Sequence, residues 1–374
     1  VAQFPPRPAA AGAAVKAGRA AGYVALTVAA VAAPFVLPQY QSQLALLWVM
    51  VVLALSWDIV GGQMGYNSFG NIVFFGIGVY TTAVVQRDLF FGVEEYAHVA
   101  GGVASQLAPL QYLGGLALGL VLGAVLAVIA AAVLGAGILR LRGHYFAICT
   151  LGLGIAMGEI AGGTDYIGAG SGLVTPLFPE LLGERNRFFY FYFMLLAFTC
   201  FGVLGAVYRC RFGLALNAIR DNEDKAEAMG LRTTRYKTIA WCLSAVFLAL
   251  AGGAYGNFIG FVDPVDTAFA GPTLGVWMIL MAIMGGRGTL WGPVIGAMIF
   301  HVSREFLWTY LLGWDRMILG LLTVLIVIFL PLGILGWLRE RTAGRAAAAA
   351  VKPSSSTSQP SPAASQPSLS EPQP

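Results

Sequence analysis

The chain has 374 residues, of which 58% are hydrophobic and only 11% charged, with 48 glycines and a mean hydropathy of +0.75. Soluble domains carry about 25% charged residues and an apolar content near one half, so this composition excludes an ordinary soluble protein and describes an integral membrane protein. The net charge of +4 gives nucleic-acid binding no support; in a membrane chain the placement of Lys and Arg matters more than their sum.

Residues 1–19 read as a cytoplasmic N-terminal tail carrying Arg7, Lys16 and Arg19. An apolar core from Ala20 to Val36 follows, with small residues at Ala32 and Ala33 that a cleavable signal peptide could also show. A retained first helix is the preferred reading, because multispanning chains rarely need cleavage. Apolar runs then recur at about 20–38, 43–62, 68–86, 113–139, 145–162, 188–208, 238–261, 273–286, 289–306 and 317–338. Most are long enough to cross a ~30 Å hydrocarbon layer as a helix. None alternates in and out as a lipid-facing barrel strand would, so the fold class is all-α with about ten transmembrane helices.

With the N-terminus in the cytoplasm, 17 of the 22 Lys and Arg residues fall inside, leaving Arg87, Arg185, Arg187, Arg304 and Arg316 outside. That asymmetry is the positive-inside bias that sets topology. The run 273–286 is short for a full crossing and meets the next through "RGTLWGP"; two half-spans or a re-entrant hairpin would keep the same parity. The transmembrane region ends near 338, and residues 339–374, rich in Ala, Ser, Pro and Gln, read as a disordered cytoplasmic tail.

Enzyme chemistry finds little footing. No G-x-x-x-x-G-K-[ST] motif occurs, and none of the four lysines (Lys16, Lys225, Lys237, Lys352) follows a glycine loop. Energy from ATP would therefore come from a partner. His98, His144 and His301 are far apart in sequence and belong to no H-E-x-x-H motif, and no G-x-S-x-G occurs. Cys149, Cys200, Cys210 and Cys242 lack paired ligand spacing and read as small hydrophobes. No cofactor or metal is expected.

Asp58, near the cytoplasmic end of the second span, and Glu159, near the outer end of the fifth, are costly in a membrane. Either a pathway role or a snorkelling position fits them. Asn67, Asn71, Thr164 and Asp165 complete the polar candidates for a substrate pathway. No midmembrane set of paired acids and bases suggests a carrier working alone. Clustered Gly61, Gly62, Gly65, Gly70, Gly76 and Gly78 suit either close helix packing or a broken segment whose backbone meets a polar ligand.

One stretch breaks the apolar pattern. "NAIRDNEDKAEAMGLRTTRYK", residues 217–237, holds nine charged residues in 21. At 100° per residue, Ala215, Leu216, Ala218, Ile219, Ala226 and Met229 share one side of a helix from Leu214 to Met229, with Arg220, Asp221, Asp224, Lys225 and Glu227 opposite. Arg220–Asp224 and Asp221–Lys225 have i, i+4 spacing, and Gly230 suits a left-handed stop. This amphipathic cytoplasmic helix is either a solvated linker or a docking element, with small Ala226, Ala228 and Gly230 permitting close approach.

The segment "ALNAIRDNEDKAEAMGLRTTRYKTIAWCLSAVFLALAGGAYG" resembles the coupling loop of LivM-type permeases, membrane subunits of branched-chain amino acid ABC importers. "SFGNIVFFGIGVYTTAV" (68–84), "LRLRGHYFAICTLGLG" (139–154), "GGTDYIGAGSGL" (162–173) and "GGRGTLWGPVIGA" (285–297) resemble that family's other signatures, in its order. The likeness spans about 43–338; Asn71, where the family commonly has His, and an inserted-looking Tyr166–Ile167 depart from it. The resemblance implies a type II ABC importer bundle in a bacterial inner membrane. It also implies a LivH-like sister permease, two ATPase subunits of LivG/LivF type and a periplasmic binding protein. Its coupling loop, about 209–237, would place ATPase contact on Arg220, Asp221, Asp224, Ala226, Glu227, Ala228, Met229 and Gly230, and the outer loop 163–187 would help receive the binding protein. Urea or short-amide permeases share much of the pattern and are the same-family alternative; a secondary transporter and a membrane-embedded enzyme are alternatives of other classes.

Overall fold

The computed structural model describes residues 9–90 and 109–310, isolated positions from 314 to 324, and 333–336, with side chains from Gly22 onward. Helices dominate: α1 (Ala9–Val36), α2 (Gln41–Asp58), α3 (Ile72–Val85), α4 (Pro109–Ile138), α5 (His144–Gly162) and α6 (Arg185–Val207) precede two short helices, α7 (Arg211–Asp221) and α8 (Glu223–Ala228). Then come α9 (Thr233–Ile259), α10 (Val276–Gly285) and α11 (Gly292–Tyr310). Among the described residues, seven helical runs are long and apolar enough to cross a membrane. α1 adds a shorter apolar stretch, Gly22–Val36, and α11 spans 19 residues despite Arg304 and Glu305. The expected tenth span and the C-terminal tail lie largely outside the described residues.

Two boundaries differ from expectation. α1 begins at Ala9, so much of the expected N-terminal tail is already helical; its Ala-rich sequence explains why. The run read as 273–286 begins earlier, because π-helical turns at Pro264–Ala268 and Gly271–Gly275 lead into α10 and make a helical segment of 22 residues. Asp263 starts it by accepting from the backbone N–H groups of Val265 and Asp266.

α2, α3 and α9 form the buried centre. α9 packs along α3 and α4, while α2 packs on α6. The α3–α9 contact is backbone to backbone: a Cβ on Gly78 would lie 2.1 Å from the Ala249 carbonyl oxygen, and one on Gly252 would lie 2.2 Å from that of Phe75. Small residues are what allow such approach. The α10–α11 hairpin closes in the same way, with a Cβ on Gly296 falling 1.9 Å from the Met281 carbonyl oxygen.

The turns sort to two ends, as the span parity predicts. At one end Arg87 donates to the Tyr166 carbonyl, and β1 (Leu173–Val174) pairs antiparallel with β2 (Phe261–Val262). At the other end the turns after α2, α4, α6 and α10 converge around the charged segment. This second end is the one that positive-inside bias assigns to the cytoplasm.

Candidate coupling site

The charged segment folds as two helices rather than one. Asn222 adopts an extended conformation (φ −165°, ψ 107°), and its side chain accepts from the Lys225 N–H at 2.9 Å, capping α8. Asn competes well for such positions because its carbonyl satisfies a donor that a helix start leaves free. The break re-aims every charge after it. Neither predicted i, i+4 pair forms; Arg220 instead meets Asp221, and Asp224 meets Arg142.

The apolar side is also reassigned. Ala215, Leu216, Ile219 and Ala226 are buried as the periodicity requires, but Ala218 is exposed and Met229 is 86% exposed. The stop is as expected: Gly230 is left-handed (φ 85°), with Leu231 N–H donating to the Ala226 carbonyl and Gly230 N–H to that of Glu227. This is the Schellman arrangement, which satisfies carbonyls at the helix end.

Beneath α8 lies a polar anchor that sequence reasoning missed. Lys237, in the first turns of α9 and 1% exposed, donates to Glu223 Oε1 at 2.7 Å, to the Leu139 carbonyl at 2.6 Å and to the Tyr66 hydroxyl at 3.1 Å. Its ammonium also sits 4.6 Å from the Tyr66 ring centroid, a cation–π contact. The Tyr66 hydroxyl donates to the other Glu223 oxygen, and Phe146 packs edge-on to the Tyr66 ring at 5.1 Å. Burial and the Glu223 carboxylate push the Tyr66 phenol up, so it remains a donor. Burial alone would raise the Glu223 carboxyl; donors from Lys237 and Tyr66 outweigh it and hold the group below its usual range.

Outside this anchor, Arg142 in the α4–α5 turn clamps the three acids of α8. It meets Asp224, donates to Glu227 at 3.1 Å and lies 3.7 Å from Glu223. Thr233 donates to the other Glu227 oxygen at 2.6 Å. The signal available in the sequence was the acidic trio at 223, 224 and 227 facing the basic "LRLRGH" turn across one end. What remains outward is a small surface of Asp221, Asp224, Lys225, Ala228, Met229 and Gly230.

α7 is tied to the bundle by a second set of contacts. Arg220 donates to the Gly62 carbonyl at 3.3 Å, in the π-helical turn Ile59–Gln63 that ends α2. Asp58, wholly buried, accepts from Gly288 N–H at 2.8 Å and from the Tyr208 hydroxyl at 3.0 Å, while Gln63 donates to the Gly288 carbonyl at 2.9 Å. One cluster thus joins the end of α2, the turn before α7 and the α10–α11 turn.

The six polar pathway candidates do not converge. Asp58, Asn67 and Asn71 lie toward the charged end, Glu159, Thr164 and Asp165 toward the opposite one. Asn71 is fully buried, accepting from the Trp241 indole at 2.8 Å and donating to Ser244 at 3.3 Å. Asn67, Glu159 and Asp165 are exposed, and Thr164 donates to the Ile160 carbonyl. The glycine cluster packs closely, since a Cβ on Gly62 or Gly76 would clash, and residues 64–71 form a non-helical break.

Comparison with known proteins agrees with the sequence resemblance. The family described as branched-chain amino acid transport system, permease component, matches residues 40–329. The high-affinity branched-chain amino acid transport system permease protein LivM of Escherichia coli K12 is 28% identical over 354 residues, 87% of this chain and 77% of that protein. The probable branched-chain amino acid transport permease protein LivM of Methanocaldococcus jannaschii is 25% identical, covering 78% of this chain and 92% of its own. The LivH permease protein of Salmonella typhimurium is 28% identical over 127 residues, 34% of this chain and 40% of its own. No solved structure matches.

Proposed function

We propose, from the premise that this chain belongs to the family of permease components of branched-chain amino acid transport systems, that it is one permease subunit of an ATP-binding-cassette importer in a bacterial inner membrane. Its substrates are branched-chain or related aliphatic amino acids, delivered by a periplasmic binding protein. A LivH-like sister permease completes the pathway, and two LivG/LivF-like ATPase subunits supply the energy. ATP hydrolysis belongs to those partners.

The observation that carries this reading is the α7–α8 element, held from behind by the Lys237–Glu223–Tyr66 anchor and the Arg142 clamp while Asp224, Ala228 and Met229 face outward. A nucleotide-driven movement of an ATPase subunit pressing on that surface meets a rigid lever rather than a loose loop. Differential contact in the two nucleotide states is what would shift the permease between two conformations. The outer loop 163–187 would help receive the binding protein, and Asp58, Asn67, Asn71, Glu159, Thr164 and Asp165 are the polar groups proposed for the pathway.

The test is reconstitution of the full complex in vesicles with its binding protein, using Glu227→Leu and Gly230→Leu variants. Complexes that stay assembled and hydrolyse ATP while amino acid uptake collapses are expected. Unimpaired uptake by both variants would overturn the coupling assignment. A ligand screen on the binding protein decides the substrate: binding of leucine, isoleucine or valine supports the reading, and binding of urea or short amides alone replaces it.

A further inference from the structure

Away from the coupling site, α1 lies across one flank of α2, α6 and α11 and leaves between them a cavity of about 330 Å³. Its walls include Leu26, Ala30, Trp48, Val51, Phe198 and Met298, and Thr27 is the one residue of the lining whose side chain is polar yet not aromatic. Toward the charged end Tyr23 and Trp291 also line a second cavity of about 560 Å³. There the lining includes Arg209.

Three features identify an occupant. The first is length: Tyr23 and Ala33, both on the apolar lining, stand about 15 Å apart along a helix that rises 1.5 Å per residue. That is half of a ~30 Å hydrocarbon layer, the depth of one leaflet. The second is the aromatic mouth, where Tyr23 stacks on Trp291 at 5.7 Å and Phe201 meets Trp291 edge-on at 4.9 Å. Tyr and Trp prefer the level of lipid headgroups. The third is charge: Arg209 is exposed at that mouth, and among the described residues no carboxylate lies within 4.0 Å of it. A free guanidinium at the cytoplasmic interface complements a phosphodiester.

We propose that this groove seats one anionic glycerophospholipid of the cytoplasmic leaflet, an acyl chain lying between α1 and the α2–α6–α11 wall and the phosphate at Arg209. The family match begins at residue 40, so α1, one wall of the seat, lies outside it. The bound lipid would hold α1 against the bundle, where the Tyr190 hydroxyl already donates to the Ala30 carbonyl at 2.6 Å.

The test is native mass spectrometry of the full-length chain in detergent, with phosphatidylglycerol or phosphatidylcholine of identical acyl chains added. Wild-type protein is expected to retain phosphatidylglycerol over phosphatidylcholine by about fivefold, the worth of one basic side chain beside an anionic lipid. Arg209→Gln, a change at an exposed side chain, removes that preference, and Ala33→Phe lowers retention of both lipids. Equal retention of the two lipids by wild type, or an unchanged preference in Arg209→Gln, overturns the proposal. So does loss of sister-permease co-purification in Ala33→Phe with lipid retention unchanged, which would assign the groove to a subunit contact.

Discussion

Lys237 shows how a single side chain can be visible in a sequence and still be misread. It closes the charged stretch 217–237 and looks like one more solvated cation, yet it is 1% exposed and reaches back 14 residues to Glu223. Position alone could not reveal this, because the partners that satisfy it, Tyr66 and the Leu139 carbonyl, come from turns far away in the chain. Removing one member of a buried pair leaves the other charge uncompensated, which typically costs about 3–5 kcal/mol. Lys237→Met should therefore lower the unfolding temperature in detergent by several degrees, and Lys237→Met combined with Glu223→Gln should recover part of the loss; thermal denaturation of both variants checks this. The pair also has a pH signature. Because the Glu223 carboxyl is held below its ordinary value of 4.5 when folded, its contribution is complete above that pH and is lost as pH falls through the lowered value. Wild-type stability should fall more steeply than that of Glu223→Gln as pH is taken from 6 to about 3.5, measured by the same denaturation.

At the level of elements, hydrophobic length was enough to anticipate the seven long apolar helical runs of the described residues. The chemistry of local breaks was harder to read. α7 and α8 share a periodicity that fits one continuous helix, and only the cap made by Asn222 divides it. The π-helical turns before α10 escaped for the reverse reason: Pro264, Gly271 and Pro272 look like loop residues, but their neighbours are packed against α3 and α5. The capping amide gives a clean test. Asn222→Ala removes the acceptor for Lys225 N–H, at a cost of about 1 kcal/mol, and loosens the start of α8. Faster amide exchange at 223–228 is expected in this variant, with α9 unchanged beyond its first turn. Because Asp224 and Glu227 would then swing away from Arg142, uptake per ATP hydrolysed should fall as well. Normal coupling with altered exchange would mean that the two-helix shape is incidental to the function.

For the whole molecule, the proposed coupling needs a route by which a push on α7–α8 would reach the membrane helices. α8 leans on the α4–α5 turn and the start of α9 through Arg142 and Lys237, contacts that brace it rather than carry it elsewhere. α7 is different, since Arg220 links it to the Gly62 carbonyl, and Gly62 adjoins Asp58, whose carboxylate holds the Gly288 N–H of the α10–α11 turn. Gly65, left-handed at φ 79°, leaves the space in which the Arg220 stem lies. Three helices, α2, α10 and α11, therefore meet the charged segment through one guanidinium and one carboxylate. The sequence offers Arg220 for the docking surface and Asp58 for a pathway or interface position; from their juxtaposition we propose a part in transmission for both. Asp58→Asn keeps an acceptor for Gly288 and should be mild, whereas Asp58→Ala strands that N–H and the Tyr208 hydroxyl, at about 1–3 kcal/mol for each unsatisfied group. Arg220→Gln is the sharper probe, because the side chain is 37% exposed and its loss leaves the buried groups paired with each other. In the reconstituted complex, Arg220→Gln should retain its ATPase subunits and basal hydrolysis while uptake per ATP drops several-fold, with the unfolding temperature close to wild type. Dissociation of the ATPase subunits would return Arg220 to the docking surface, and full uptake would show that the movement reaches α2 by another route.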